Sequence, residues 1–387
     1  MKNILLYALL LTVAISYGQG WLSEEKMPPK KIAPKGKPYD FIGTYYEGLA
    51  MVERNNKNGF VDKAGKVVIP LKYDNVSNFS EGWAKVELNG KKGVIDRTGK
   101  IVIEIKYNDI AEISEGLLAA QLNYKWGFID KTGKEVVPFK YSTVYEFKEG
   151  FARVLNHRYG FVDNTGKEVI PTEYDWLLDF SEGVAVADKD GKSGFIDKTG
   201  REIIPMQYDM AYSFSEGLAR VMKDYKWGFI DKTGEEVIPL MFNDAWDFSD
   251  GVAAINLNRK WGFVDKTAKV VIPVKYNNAS FFFNGLAIVI KDEKWGVIDK
   301  NDNLIAPIKY DDIWNFSEDL AVVNFNGKYG YINRMGKEVI PAKYDDAWSF
   351  LEGLASVKLN NKWFYINKKG ECVLFCNNAP ADHPKAK

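Results

Sequence analysis

Two cysteines and two histidines are all that 387 residues provide of the side chains that usually hold transition metals. No Cys/His metal cluster can be assembled from them. An excess of one charge is missing too, since 52 basic residues face 52 acidic ones. That balance gives no electrostatic reason for nucleic acid or an anionic membrane as partner. Neither a Gly-x-Ser-x-Gly elbow nor a glycine-rich phosphate loop before a helix occurs, so the usual nucleophile and nucleotide signatures are absent. What is present, 46% hydrophobic and 27% charged residues with 14% aromatics, is the composition of a folded, aromatic-rich chain.

The N-terminus reads as an address. Lys2 precedes an apolar run from Ile4 to Ile15, and Ser16-Tyr17-Gly18 places small residues at −3 and −1. Residues 1–18 are therefore expected to be a signal peptide cut before Gln19, an uncleaved anchor being the alternative. The run is short for a bilayer span, and no cysteine follows it to carry a lipid. No integral membrane segment is expected after cleavage. Residues 19–38, with Pro28, Pro29, Pro34 and Pro38, have no apolar period and read as a Lys/Pro-rich linker. The mature chain is expected outside the cytoplasm, whether periplasmic, surface-associated or secreted.

The remainder is one phrase repeated. Lys226-Trp227-Gly228-Phe229-Ile230-Asp231-Lys232-Thr233-Gly234 recurs with its first glycine at Gly59, Gly93, Gly127, Gly160, Gly194, Gly228, Gly262, Gly296 and Gly330, and Phe364 takes the tenth place. The step is 34 residues, except for 33 between Gly127 and Gly160. A fixed period of this size marks a repeat architecture. Ten units fill residues 39–376 as one continuous domain, and the tail 377–387 is expected to be loose.

Within a unit the pattern predicts three strands and no helix. Residues 218–221 alternate, Lys223-Asp224-Tyr225 makes a turn, and Lys226–Ile230 forms a second strand. Asp231 to Gly234 makes a tight loop with a left-handed residue at the glycine. A third strand ends at Pro239, which cannot donate to a ladder. The missing residue of the fourth unit falls between Gly150 and Gly160, where a surface turn absorbs it. The second strand is apolar on both faces, so each unit needs a neighbour to cover it. Aromatics such as Phe79, Phe147, Phe180, Phe248, Phe282 and Phe350 are expected to plug the joints, contributing about 2–3 kcal/mol each.

The Lys-Trp-Gly core followed by Asp-Lys-Thr-Gly, repeated over nearly all of 39–376, resembles the WG-repeat family of bacterial β-repeats. The resemblance implies an all-β repeat protein of envelope or surface context with no general catalytic activity to carry over. Ala268 and Asp302 depart from the pattern at the turn glycine, Glu104 at the proline, Asp319 at the glycine before the first strand, and Phe364 and Phe375 in the last unit. Each unit holds its three strands contiguously, and ten blades exceed the usual propeller count. An open or superhelical array is therefore favoured over a closed ring.

Candidate chemistry is sparse. Asp62, Asp96, Asp130, Asp163, Asp197, Asp231, Asp265 and Asp299 recur at one place and read as turn caps, since a catalytic site is one place rather than eight. His157 reads as an exposed turn residue. Cys372 and Cys376 would stand about 13 Å apart along a straight strand, too far to bridge. A bend would permit a C-terminal staple, and both readings stay open. The position before the signature glycine holds Asn58, Lys92 and Ser193 as well as aromatics, which suggests half exposure. Trp126, Tyr159, Trp227, Trp261, Trp295, Tyr329 and Trp363 there form a candidate binding stripe, with inter-unit packing as the plainer explanation. A second set, Tyr145, Tyr212, Trp246, Trp314 and Trp348, is expected near it. The sequence thus points to an exported, non-enzymatic scaffold without cofactor or metal. Its expected partner is a protein, ahead of a glycan stacked on the stripe or a purely structural spacer role.

Overall fold

The computed structural model describes residues 39–387 other than 352, 378, 381, 382, 386 and 387. The expected signal peptide and linker lie outside the described residues. The described chain falls into two compact units, one ending at Ser213 and the other beginning at Phe214. Both are built from one kind of part, a small antiparallel meander, and the described residues hold ten of them. Among the described residues no helix is long and apolar enough to cross a membrane.

The first sheet shows the part. Its strands are β1 (Phe41–Tyr46), β2 (Leu49–Arg54), β3 (Lys57–Asp62) and β4 (Val67–Tyr73), hydrogen-bonded in that order. Strands β2 to β4 are the expected meander, with one correction: the last of them does not end at its proline, since Pro70 lies inside β4 and Pro239 inside the equivalent strand Glu236–Phe242, on an edge where no ladder bond is asked of its nitrogen. The first strand was not expected, and in most sheets it is only two residues long, as at Asp244–Ala245. It pairs because the residues before the next strand form a two-residue hairpin. Asp250 and Gly251 both take positive φ (55° and 83°), and Ser249 and Val252 exchange backbone bonds of 3.0 and 3.3 Å across them. That is the twist-matched turn of a β-hairpin.

The other two turns follow the sequence reading. Asn55 and Asn56 are left-handed between β2 and β3. In the fourth sheet the same hairpin is shortened to the single exposed residue His157 (φ 69°). After β3, Asp62 Oδ1 accepts the backbone N–H of Ala64 and of Lys66 at 2.9 Å each, leaving Gly65 at φ 81°.

The signature glycine has a steric cause. Strand β4 bulges as it passes β3, its register jumping between Asn58↔Tyr73 and Phe60↔Ile69. A Cβ on Gly59 would sit 2.4 Å from the Ile69 carbonyl oxygen and 2.8 Å from the Pro70 carbonyl carbon. In the tenth sheet the fourth strand is only Cys372–Leu374, and the fully buried Phe364 ring occupies the glycine's place.

Cores lie between sheets rather than within them. Leu49, Phe60, Ile69 and Tyr73 of the first sheet pack on Val76, Phe79, Ala84, Val86 and Ile95 of the second. The expected plug is seen directly, with Phe60 and Phe79 edge-to-face at 4.7 Å. The same contact recurs at Phe128–Phe147 in the first compact unit and at Phe263–Phe282 in the second. Polar clips run alongside. The Glu216 carboxylate accepts the Gly251 N–H at 3.0 Å, and Lys266 Nζ donates to the Glu216 carbonyl at 2.7 Å.

The tail corrects the expectation of looseness. Phe375 turns the chain with φ 57°, which supplies the bend that lets Cys372 and Cys376 join at a Cα separation of 5.7 Å. The returning chain lays the Pro384 carbonyl on the Cys372 N–H at 2.7 Å. It buries His383, whose Nε2 lies 2.9 Å from the Tyr344 hydroxyl and whose ring meets Phe364 at 4.9 Å. Tyr344 of the ninth sheet packs on Phe364 of the tenth, and the tail, through His383, reaches both. The folded region thus includes His383 as well as His157.

Candidate functional site

The stripe position lies on the third strand of each sheet, opposite a residue that is tyrosine in most sheets: Trp126↔Tyr141, Tyr159↔Tyr174, Trp261↔Tyr276, Trp295↔Tyr310 and Tyr329↔Tyr344. The structure spends most of these rings on packing. Tyr159, Trp227 and Trp261 are buried, while Trp126, Trp295, Tyr329 and Trp363 are half-buried. The inference of general half exposure from Asn58 and Ser193 is corrected, because both of those are buried as well. Asn58 is satisfied in place by donating to the Asp74 carbonyl at 3.0 Å, and Lys92 instead reaches out to Asp109 at 2.7 Å. A polar side chain with a bond waiting for it reports nothing about exposure.

The second aromatic set does lie beside the first where contacts are seen. Trp246 stacks on Trp261 with centroids 6.2 Å apart and planes 20° apart. Tyr145 approaches Tyr159 at 6.3 Å, and Trp176, which the sequence reading passed over, meets Tyr159 at 4.9 Å. Trp314 and Trp348 meet each other edge-to-face at 5.9 Å, and Trp348 stays 38% exposed.

Two buried arginines escaped the sequence reading. Arg153 lies over the Tyr145 ring at 4.1 Å, donates Nη1 to the Leu177 carbonyl at 2.6 Å and pairs with Asp179 at 2.5 Å. Arg220 repeats the arrangement with the Ala245 carbonyl at 2.6 Å and an ion pair to Asp247 at 2.6 Å. Lys85 pairs with Glu112 at the equivalent joint. The signal was available: a base three residues after the hairpin glycine (Gly82, Gly150, Gly217) is matched by an acid just before the plug position of the following unit.

The repeated aspartates do cap turns. Asp265 Oδ1 accepts from Thr267 Oγ1 at 2.6 Å, Thr267 N at 2.9 Å and Lys269 N at 3.1 Å. The Thr267 hydroxyl bond, with the backbone donors, holds its carboxyl below the usual aspartate value. One carboxylate behaves otherwise. Asp188 faces Trp176 on one side and Ser193 on the other. Burial pushes its pKa up to about 6, against a Ser193 bond that lowers it, and the charge of Asp175 adds to the rise. Its Oδ1 is buried without a hydrogen-bond partner.

The most exposed large hydrophobic side chains among the described residues sit elsewhere, at hairpin tips. Tyr124 is 78% and Tyr225 86% exposed, each in the left-handed region at φ 63° and 59°. Other units fill that place with Gly90, Gly191, Arg259, Glu293, Gly327 or Asn361. A bulky residue there bears backbone strain that glycine avoids. An apolar recess of about 230 Å³, lined by Phe281, Phe283, Leu286, Ile288 and Phe316, opens between the eighth and ninth sheets.

Comparison with known proteins gives one family. The WG containing repeat matches ten times between residues 39 and 363, from 39–57 to 329–363. No curated protein matches the chain. Among solved structures, a eukaryotic initiation factor is similar over 85% of this chain and 96% of its own, at 9% identity and a TM-score of 0.44. The extracellular domain of a one component system from B. thetaiotaomicron is similar over 89% of this chain and 61% of its own, at 11% identity and a TM-score of 0.26.

Proposed function

This chain belongs to the WG-containing repeat family, and on that premise we propose that it is a non-enzymatic scaffold that binds a protein partner outside the cytoplasm. The observation that carries the reading is the pair of hairpin-tip tyrosines. Tyr124 and Tyr225 place nearly whole aromatic rings in water on strained backbone, at a position where three sister units use glycine. Strain and exposure without a packing return point to a use in recognition, and tyrosine is a preferred anchor at protein interfaces. Several modest anchors on stiff, similar units give affinity by avidity.

Two observations support the location. The N-terminal Lys2 and apolar run from Ile4 to Ile15 fit an exported chain, and the Cys372–Cys376 disulfide fits an oxidising compartment. No catalytic role is assigned: the repeated carboxylates are engaged as turn caps.

The test is capture from an envelope extract by the full chain and by Tyr124→Gly/Tyr225→Gly. Glycine already occupies that place in three units, so the variant keeps its fold. A defined polypeptide held by the parent chain and lost from the variant is the expected result; equal capture by both refutes the reading. Glycan binding is the second reading, favoured by the partly open Trp348 beside Trp314. A glycan-array signal abolished by Trp348→Ala would establish it.

A further inference from the structure

Each sheet ends on an outer fourth strand that bonds to one neighbour only. Such an edge presents unpaired backbone groups and invites pairing with another chain unless something blunts it. In eight of the ten sheets the blunt is a proline in the outer strand, from Pro70 in the first to Pro341 in the ninth. The tenth outer strand, Cys372–Leu374, has no proline, but the tail lies along it, with Cys372 bridged in parallel to Lys385. The second sheet has neither device. Its outer strand Ile101–Tyr107 carries Glu104 in the proline's place, and among the described residues no segment pairs with its outer side.

We propose that this edge is a self-association site, where Ile101–Tyr107 pairs antiparallel with the same strand of a second copy of the chain. The tail on the tenth sheet shows which donor is available. Cys372 stands two residues after its turn glycine, Gly370, and offers its N–H outward to Pro384. Ile101 stands two residues after Gly99 and has the same place in the second sheet. The charges select a copy of this chain and a register. With the two-fold axis at Ile105, Glu104 of each copy faces Lys106 of the other. An axis at Glu104 or at Lys106 would set like charges opposite each other, which is unfavourable. In the single chain Glu104 and Lys106 form an exposed ion pair at 2.7 Å, at 75% and 49% side-chain exposure, with Lys106 also over the Tyr107 ring at 5.5 Å. In that register residues 103–107 of the two strands lie alongside each other, Ile103 opposite Tyr107. One patch meeting itself is the closed, two-fold geometry that soluble homodimers commonly use.

The proposal is independent of the tyrosine-tip reading and is tested separately, by sedimentation of the full chain across a concentration series. A monomer–dimer equilibrium is expected. Glu104→Pro installs what eight sister strands carry, so its melting curve should match the parent while the dimer disappears. Lys106→Glu should raise the dimer dissociation constant tenfold or more by setting Glu against Glu, and the swap Glu104→Lys/Lys106→Glu should restore it. A chain that stays monomeric throughout, a dimer indifferent to Glu104→Pro, or a swap that fails to restore pairing would each overturn the proposal.

Discussion

Replacing the signature glycine of the seventh unit tests the account of the family's central feature. In Gly262→Ala the new Cβ would lie 2.6 Å from the Ile272 carbonyl oxygen and 2.8 Å from both the Pro273 carbonyl carbon and the Val274 nitrogen. All three are backbone atoms, so no rotamer change relieves them. Ordinary contact begins at 3.4 Å, and the outer strand would have to withdraw by about 0.8 Å. Trp261↔Tyr276 and Phe263↔Ile272 are the pairings that would give way. Overpacking of this kind costs about 3 kcal/mol, the upper end of the usual range. The control is Gly251→Ala, where a Cβ would meet nothing within 4 Å but φ is 83°; left-handed strain alone costs about 1–2 kcal/mol. Hydrogen exchange across residues 252–298, with urea melts of the full chain, would rank the two. Protection should fall much further in Gly262→Ala. Equal losses, or the reverse order, would refute the crossing-strand explanation.

Three further outcomes are expected. Asp188 is an acid whose folded pKa, about 6, lies above the ordinary 3.8, so its ionised form disfavours the fold. Stability should therefore decline as pH rises from about 4 to about 6 and stay level above; Asp188→Asn should gain up to roughly 3 kcal/mol at pH 7.5 and almost nothing at pH 3.5, read from urea melts at both. Ala268 holds φ 65° where most units have glycine, so Ala268→Gly should raise stability by about 1 kcal/mol in the same assay. Reducing the Cys372–Cys376 bond, or Cys372→Ser/Cys376→Ser, should release the tail and expose His383, seen as an imidazole NMR signal that becomes accessible to solvent; an unchanged His383 would refute the staple role.

The hairpin strand was readable but passed over. Glu-Gly, Asp-Gly or Asn-Gly before the second strand in nine of the ten sheets is a two-residue turn signal, yet the stretch from Phe242 to Asp250 has no alternation, because its strand is only two residues long. The arginine–acid joints were equally present in the sequence, as matched charges one unit apart. Ring exposure was not readable in this way. Trp261 and Trp363 occupy the same place in the repeat, yet one is buried and the other half-buried. The difference depends on what the neighbouring sheet presents.

The sequence by itself determined the period, the turns, the all-β class and the need of each unit for a neighbour. Those properties come from short-range sterics and hydrogen bonding within 34 residues, and the repetition states them many times over. Only the tertiary structure decided which stripe aromatics were left to water, that the tail folds back as a cap, and which outer strand remains unblunted. Each of these depends on surfaces contributed by residues a unit or more away, whose approach no local pattern specifies.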